Sequence, residues 1–581
     1  MWISIVYGIV FLVTIVGIVL FPRKDDKLHI VQVIPAVVTG LLCYQVYMEM
    51  VLQKLGCKVD LRSAIIPLLF LNLLIWGYII KMHRIQEYVV SKAEMITICG
   101  LLLFVILEAH HMFGFELRLV YLNDDPNAVF RNSMSMFRKE NVSGFFFCEY
   151  IAMLLYNFFK PFIPAMYYYK VFVVFDISLQ ILQIWMFYAV AAKISRNRLH
   201  QMTLFVLTFF YYLGYPTFSF MRGNFMYWST GILLLLLMCY YLQDIIGFKE
   251  RNIIIYLELM NALLGNIFSN KLYVITNTII VIGCLVLSLE KKKRLITVVG
   301  TGVCGSIAIL LIGHQYYDQV VKTISYNGFS YGAPYSDFLP FVPIVLYGVI
   351  LYIRKKRRKE WTLYALLIAS FLWGGMLILY LDNISSTYYY YKIYYTLWVI
   401  LWMMTVALYG NLQPAKRKSM LLYLVVLLTV GIGQYRRDCD AEMVSKNDLM
   451  NIYRYNMQWF TEDYESDVLE CEGRYLKDTT LEKLQKISID FPEAVFYCSE
   501  DEYMMGRWYS AIFGKITFCG FGRRDQPAYQ EEYNMLMTQY NYYEILMDKE
   551  SNTYRLISDL ISESEIAYDD GKFVVIKRNK E

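Results

Sequence analysis

Apolar runs of about 20 residues recur from the start of this chain to about residue 434, and each is long enough to cross a hydrocarbon core about 30 Å thick. In lipid every backbone N–H and C=O needs an internal partner, which restricts such runs to helices. About fourteen spans are expected: roughly 2–21, 30–51, 63–80, 94–113, 170–193, 200–218, 226–246, 252–269, 272–289, 295–314, 336–353, 362–381, 389–409 and 418–434. Only GNIFSNK separates the pair at 252–289. The charged fraction, 18%, is well below the quarter of a soluble domain. The first run lacks the basic start and small-residue cleavage site of a signal peptide and reads as a retained span. The fold class is therefore mainly α, a polytopic membrane helix bundle with a C-terminal extracytoplasmic α/β domain.

Lys and Arg in the short loops set the orientation. One alternating set of loops (FPRKDDK, KMHRIQEYVVSK, AKISRNR, FKER, EKKKR, RKKRRK and AKRK) carries about 24 basic residues. The other set carries about 7. The basic set is expected in the cytoplasm, so the N-terminus and everything after residue 434 are expected outside. Residues 144–164 are broken by Lys160, Pro161 and Pro164 and read as a pair of short re-entrant or interfacial helices. The regions expected are thus a four-span part (1–113), an extracytoplasmic loop with interfacial helices and an acidic motif (114–169), further spans (170–435) and a soluble extracytoplasmic domain (436–581).

That last region carries about 18 basic and 29 acidic residues, near −11 net, leaving the membrane part near +16. The balance argues against a nucleic-acid partner. AVFYC (494–498), KITFCG, YYEILM and FVVIKR read as strands, and EDEYMMGRWYSAIFG reads as a helix ended by Gly514. Cys439, Cys471, Cys498 and Cys519 either form disulfides or pack as small reduced hydrophobes.

The chemistry-bearing motif is NDDPN, residues 123–127, just after the fourth apolar run. Two adjacent carboxylates at an interface can hold one proton between them at a useful pKa, which suits a general base. Pro126 can start the helix that follows, and either acid would also serve as its N-cap. His110 and His111, at the end of the preceding span, suit a proton relay or an ordinary packed role. A metal would need further ligands converging on them, so neither a metal nor another cofactor is expected. Asp176 falls inside a span, where an acid marks either a site or a helix-to-helix hydrogen bond. The few basic residues of the outer set are Arg118, Arg131, Arg222, Lys271 and Lys392, each able to bind an anion or to snorkel at a span end. The outer loop 317–338, with Tyr326 and Tyr331, is rich in Tyr, Asn and Gly and suits contacts with sugar rings or plain loop mobility. No Gly-rich phosphate loop is present.

NDDPNAVFRNSMSMFRK (123–139), the amphipathic stretch running on to Pro164, and a tail bearing RWYSAIFGKITF (507–518) together resemble the multi-span glycosyltransferases of the GT-C superfamily. Four spans rather than one precede the acidic loop, which corresponds to an N-terminal extension of three spans. The resemblance implies transfer of a sugar from a polyprenyl-phosphate donor to a glycan, lipid or protein acceptor of the cell envelope. Asp124 or Asp125 would be the base, inversion the outcome, and the outer cations the partners of the leaving phosphate. The alternatives are an envelope-polysaccharide polymerase or ligase, which would act on an oligosaccharide diphosphate donor, and a transporter or flippase, which would show paired halves and mid-membrane charges.

Overall fold

The computed structural model describes residues 1–23, 28–117, 119, 124–139, 146–213, 226–247, 253–289, 299–300, 302–303, 305–307, 361–381, 387–411, 476–498, 503–519 and 526–577. Among them, nine helices are long and apolar enough to cross a membrane, so the chain is a multi-span membrane protein. The apolar helices Phe147–Phe159, Gln201–Tyr212 and Ile253–Asn266 are shorter than a span. The expected spans 336–353 and 418–434, and most of 295–314, lie outside the described residues.

The described residues divide into two compact units. The first comprises residues 1–112, 144–151 and 176–466. Its helices are α1 (Trp2–Leu20), α2 (Ile30–Lys54), α3 (Leu61–Met82), most of α4 (Lys92–Phe113), the first residues of the short α6 (Phe147–Phe159), most of α7 (Tyr168–Ile194), and six later helices. Those six are α8 (Gln201–Leu213), α9 (Met226–Leu242), α10 (Ile253–Asn266), α11 (Lys271–Ser288), α12 (Trp361–Leu381) and α13 (Thr387–Asn411). The hydrophobicity of α9 and α13 runs all round, as expected of central helices, and both are almost wholly buried. By contrast α1 and α12 expose most of their apolar surface. Close approaches set the packing. A Cβ on Gly265 of α10 would lie 2.4 Å from the Cys43 sulfur of α2, and one on Gly231 of α9 would lie 2.3 Å from the Tyr273 ring of α11. Only glycine admits such contacts.

Several buried charges in this unit are paired. Lys193 meets Asp244 at 2.6 Å, and Arg23 meets Glu258 at 2.7 Å. Glu94 accepts hydrogen bonds from Gln32 at 2.7 Å and contacts His29 Nδ1 at 2.8 Å. Removing one partner of such a pair leaves a bare charge at low dielectric, which costs far more than the pair itself contributes.

The second unit comprises residues 113–143, 152–175 and 467–581. It contains α5 (Asp124–Arg138), the later turns of α6 (Phe147–Phe159) and the first turns of α7 (Tyr168–Ile194). Its remaining helices are α14 (Asp478–Asp490), α15 (Tyr503–Phe513), α16 (Gln526–Thr538) and α17 (Asn552–Ile557). The first unit holds two short paired strands, β1 (Leu28–His29) and β2 (Tyr88–Val89), and the second holds β3 (Val495–Cys498), β4 (Thr517–Cys519), β5 (Glu544–Asp548), β6 (Ile566–Asp569) and β7 (Phe573–Lys577). These last five form one sheet in the order β4-β3-β5-β7-β6, parallel across the first three and antiparallel across the last three.

Side chains alternate across this sheet with period two, and both faces are covered. Phe496, Leu546, Phe573 and Val575 pack with Leu484, Ile487 and Tyr509 of α14 and α15. Tyr497, Ile545, Met547, Val574 and Ile576 pack with Tyr529, Tyr533 and Leu536 of α16 and with Ile557 of α17. Gly514, at φ +68°, ends α15 in the left-handed conformation that glycine adopts without strain. Cys498 and Cys519 lie opposite each other in register on β3 and β4. Cys439 and Cys471 lie outside the described residues. Residues 144–164 contain one described helix, the 13-residue α6, rather than an expected pair. After it, the Pro161–Pro164 segment turns the chain directly into a short 3-10 turn and α7.

Candidate functional site

Helix α5 begins at Asp124, so the two aspartates and Pro126 occupy its first turn. Acids there favour the positive end of the helix dipole, and proline loses no hydrogen bond in that position. The 15-residue helix is strongly amphipathic. Val129, Phe130, Ser133 and Met134 are buried, whereas Arg131 is exposed. The side chains of Asp124 and Asp125 lie outside the described residues.

Within the second unit, two sets of contacts hold α5. Phe130 packs on Trp508 of α15 at a ring distance of 5.3 Å and edge-on to Phe172 at 5.6 Å. Arg138 donates to the Ala511 carbonyl at 2.9 Å. On the other side Phe137 meets Tyr168 at 5.2 Å, and Tyr168 stacks on Tyr156 at 5.1 Å. The α7 turn is tied to α14, because Tyr169 and Lys170 both bond the Asp478 carboxylate, at 2.5 and 2.6 Å. The Leu119 carbonyl accepts the Leu476 N–H at 3.0 Å. The acidic helix is therefore fixed by both a membrane-helix corner and the sheet-bearing segment. Beside Trp508, burial lowers the Arg507 guanidinium from its ordinary value, with the Cys519 thiol opposing.

One residue of α5 is anomalous. Asn127 is fully buried, and neither its amide nitrogen nor its amide oxygen has a hydrogen-bond partner among the described residues. Leaving such a group unpaired costs about 1–3 kcal/mol. It sits in the same helical turn as the two aspartates. Asn127→Leu removes the unpaired dipole at similar volume and is expected to raise stability by about 1–3 kcal/mol in a thermal melt. An unchanged or lower melting temperature would mean that the amide is satisfied in the folded protein.

The remaining candidates are dispersed. In the first unit Lys392, near the start of α13, is 7% exposed, and its ammonium lies 4.3 Å from the Trp228 ring and 5.3 Å from Tyr395. Trp228 meets Tyr273 at 5.5 Å, and the neighbouring Tyr227 donates to Glu149 at 2.6 Å. Lys392 thus stands in an aromatic surround with a carboxylate on the adjoining residue's hydroxyl, a setting suited to cation–π contact. Lys271 opens α11 after the Asn270 cap and is half-buried. His110 is exposed on α4, and the His111 side chain lies outside the described residues. Arg118, Arg222, Tyr326 and Tyr331 also lie outside them. The structure therefore brings Asp124, Asp125 and Arg131 onto one helix and puts Lys271 and Lys392 in the other unit. Among the described residues no group of three or more His, Cys, Asp or Glu could hold a metal.

Three buried carboxylates escape sequence reasoning. Glu49 accepts hydrogen bonds from Ser63 at 2.5 Å and Tyr150 at 3.2 Å. Glu149 accepts from Tyr227 and from its own helix start at Phe146 N–H, 3.0 Å away. Glu108 is fully buried, and it and Asp176 both lie within electrostatic reach of the Tyr212 hydroxyl. The available signal was an acid inside an apolar run, which for Glu49, Glu108 and Glu149 is as strong as for Asp176. Compared with known proteins, the chain matches no protein-family model and no curated relative.

Proposed function

We propose that this protein is an extracytoplasmic membrane glycosyltransferase of the GT-C type. It moves a sugar from a polyprenyl-phosphate donor to a cell-envelope acceptor, with Asp124 or Asp125 as general base. The N-terminus and the sheet-bearing C-terminal region, an α/β domain in this reading, lie outside, and the bundle has about 14 spans. The observation that supports the proposal is the acidic first turn of the amphipathic helix α5, held within the second unit by Phe130 on Trp508 and by Arg138 on the Ala511 carbonyl.

In this mechanism the acceptor hydroxyl loses its proton to the carboxylate as its oxygen attacks the anomeric carbon. The bond from that carbon to the phosphate oxygen breaks on the opposite face, inverting the centre. The leaving polyprenyl phosphate is stabilised by a cation such as Arg131, which shares α5 with the two acids. No metal or nucleotide enters the scheme. Reconstituted protein given polyprenyl-phosphate sugars and an envelope acceptor fraction is expected to release polyprenyl phosphate and to label the acceptor. Release from none of the donors, by protein that melts cooperatively, would contradict the proposal.

A second reading, a transporter, is favoured by the buried Glu108 and Asp176 inside spans. Cysteines placed along α7 would then change their solvent access between two substrate conditions.

A further inference from the structure

A cavity of about 310 Å³ lies in the first unit, between α1, α2, α3 and α10. Ligand pockets range from about 300 to 1,000 Å³, so its size suits a single slender ligand. Its walls are apolar side chains of membrane-spanning helices, among them Ile18, Leu41, Leu71 and Ile75. Leu257 also lines it and is 62% exposed, so the cavity opens laterally on the outer face of α10. That face presents Ile253 as well, at 71% exposure. Of the helices that line it, α1, α2 and α3 are each long and apolar enough to cross a membrane, the setting in which lipid chains reach the mouth.

Few polar groups line the cavity, and its charges balance. Arg23 is paired with Glu258 at 2.7 Å, and Asn261 donates to the Gly40 carbonyl at 2.8 Å, while Arg23 Nε and Asn261 Oδ1 have no partner among the described residues. A hydrocarbon chain in an apolar space beside lipid gains dispersion contacts along the whole lining. The occupant is then whatever hydrocarbon the surroundings supply in greatest excess, by mass action.

We propose that this cavity binds one acyl chain of a bilayer phospholipid, which fills the space between the N-terminal helices and α10. The polar end stays at the membrane surface, and the neutral Arg23–Glu258 pair leaves the site indifferent to headgroup charge.

Gly40 gives the means to test it. A Cβ there would meet only Asn261 Nδ2 at 3.6 Å and Tyr241 Oη at 3.7 Å, both ordinary contacts, so a larger side chain can grow into the cavity. The purified full chain, washed in detergent, is examined by native mass spectrometry with synthetic phosphatidylethanolamine, phosphatidylglycerol and polyprenyl phosphate as separate probes. Wild type is expected to keep one phospholipid per chain, of either headgroup. Gly40→Phe is expected to cut that occupancy by at least about tenfold, since each excluded methylene weakens chain burial several-fold. Val37→Phe, at a second lining position, is read in the same way if Gly40→Phe does not fold. Wild type without bound phospholipid, retention of polyprenyl phosphate alone, or equal occupancy in a folded variant would overturn the proposal.

Discussion

Asn in place of Asp124 or of Asp125, one at a time, is expected to abolish sugar transfer at one of the two positions while leaving expression unchanged. The loss at that position should be about 10²–10⁴-fold, the range for removing a general base. The substitution separates the two roles open to an acid in the first turn of α5. Asn caps a helix as well as Asp does, so a capping role predicts almost no effect. A loss of favourable dipole interaction alone amounts to about 0.3–1 kcal/mol of stability. Only chemistry at the carboxylate gives a large loss of rate with intact folding. Transfer rates of the reconstituted variants make the comparison, and full activity in both would remove the catalytic assignment.

Trp508→Ala is expected to destabilise the second unit by about 3–5 kcal/mol, as for other large-to-small changes at a packed aromatic. Trp508 is completely buried and lies against Phe130, so its loss opens a cavity beneath the acidic helix. Hydrogen exchange should then quicken through α5 as well as through α15. A double-mutant cycle with Phe130→Leu is expected to show coupling of about 0.5–1.5 kcal/mol from the ring contact. Unchanged protection of residues 124–138 would mean that α5 keeps its position without this contact.

The membrane character and several elements of the second unit were legible for simple reasons. A span needs only sustained apolarity, and α1, α3 and α12 carry it without interruption. The strand at Val495–Cys498 and the helix ended by Gly514 follow from alternation and from one backbone signal. In contrast α14 and α16 contain few apolar residues, and their fit becomes evident only once Leu484, Ile487, Tyr529 and Tyr533 are seen against the sheet. The first turn of α5 was legible from Asp-Asp-Pro, but the unpaired state of Asn127 was not. An asparagine in sequence carries no sign of burial, and only tertiary packing denies it water. The same holds for Glu49 and Glu149, whose partners Tyr150 and Tyr227 lie 101 and 78 residues away.

The side of the membrane that α5 occupies is the point on which donor, base and acceptor must agree. Arg131 is exposed on that helix, so Arg131→Cys supplies a reporter beside the acids. It is best placed in a chain whose Cys57, Cys99, Cys304, Cys439, Cys471 and Cys519 are replaced by Ser, the same chain without the Arg131→Cys change serving as the blank. Treated as intact cells with a membrane-impermeant maleimide, this variant is expected to be labelled without permeabilisation. Labelling that appears only after the membrane is opened would put the aspartates in the cytoplasm, away from a sugar donor presented outside.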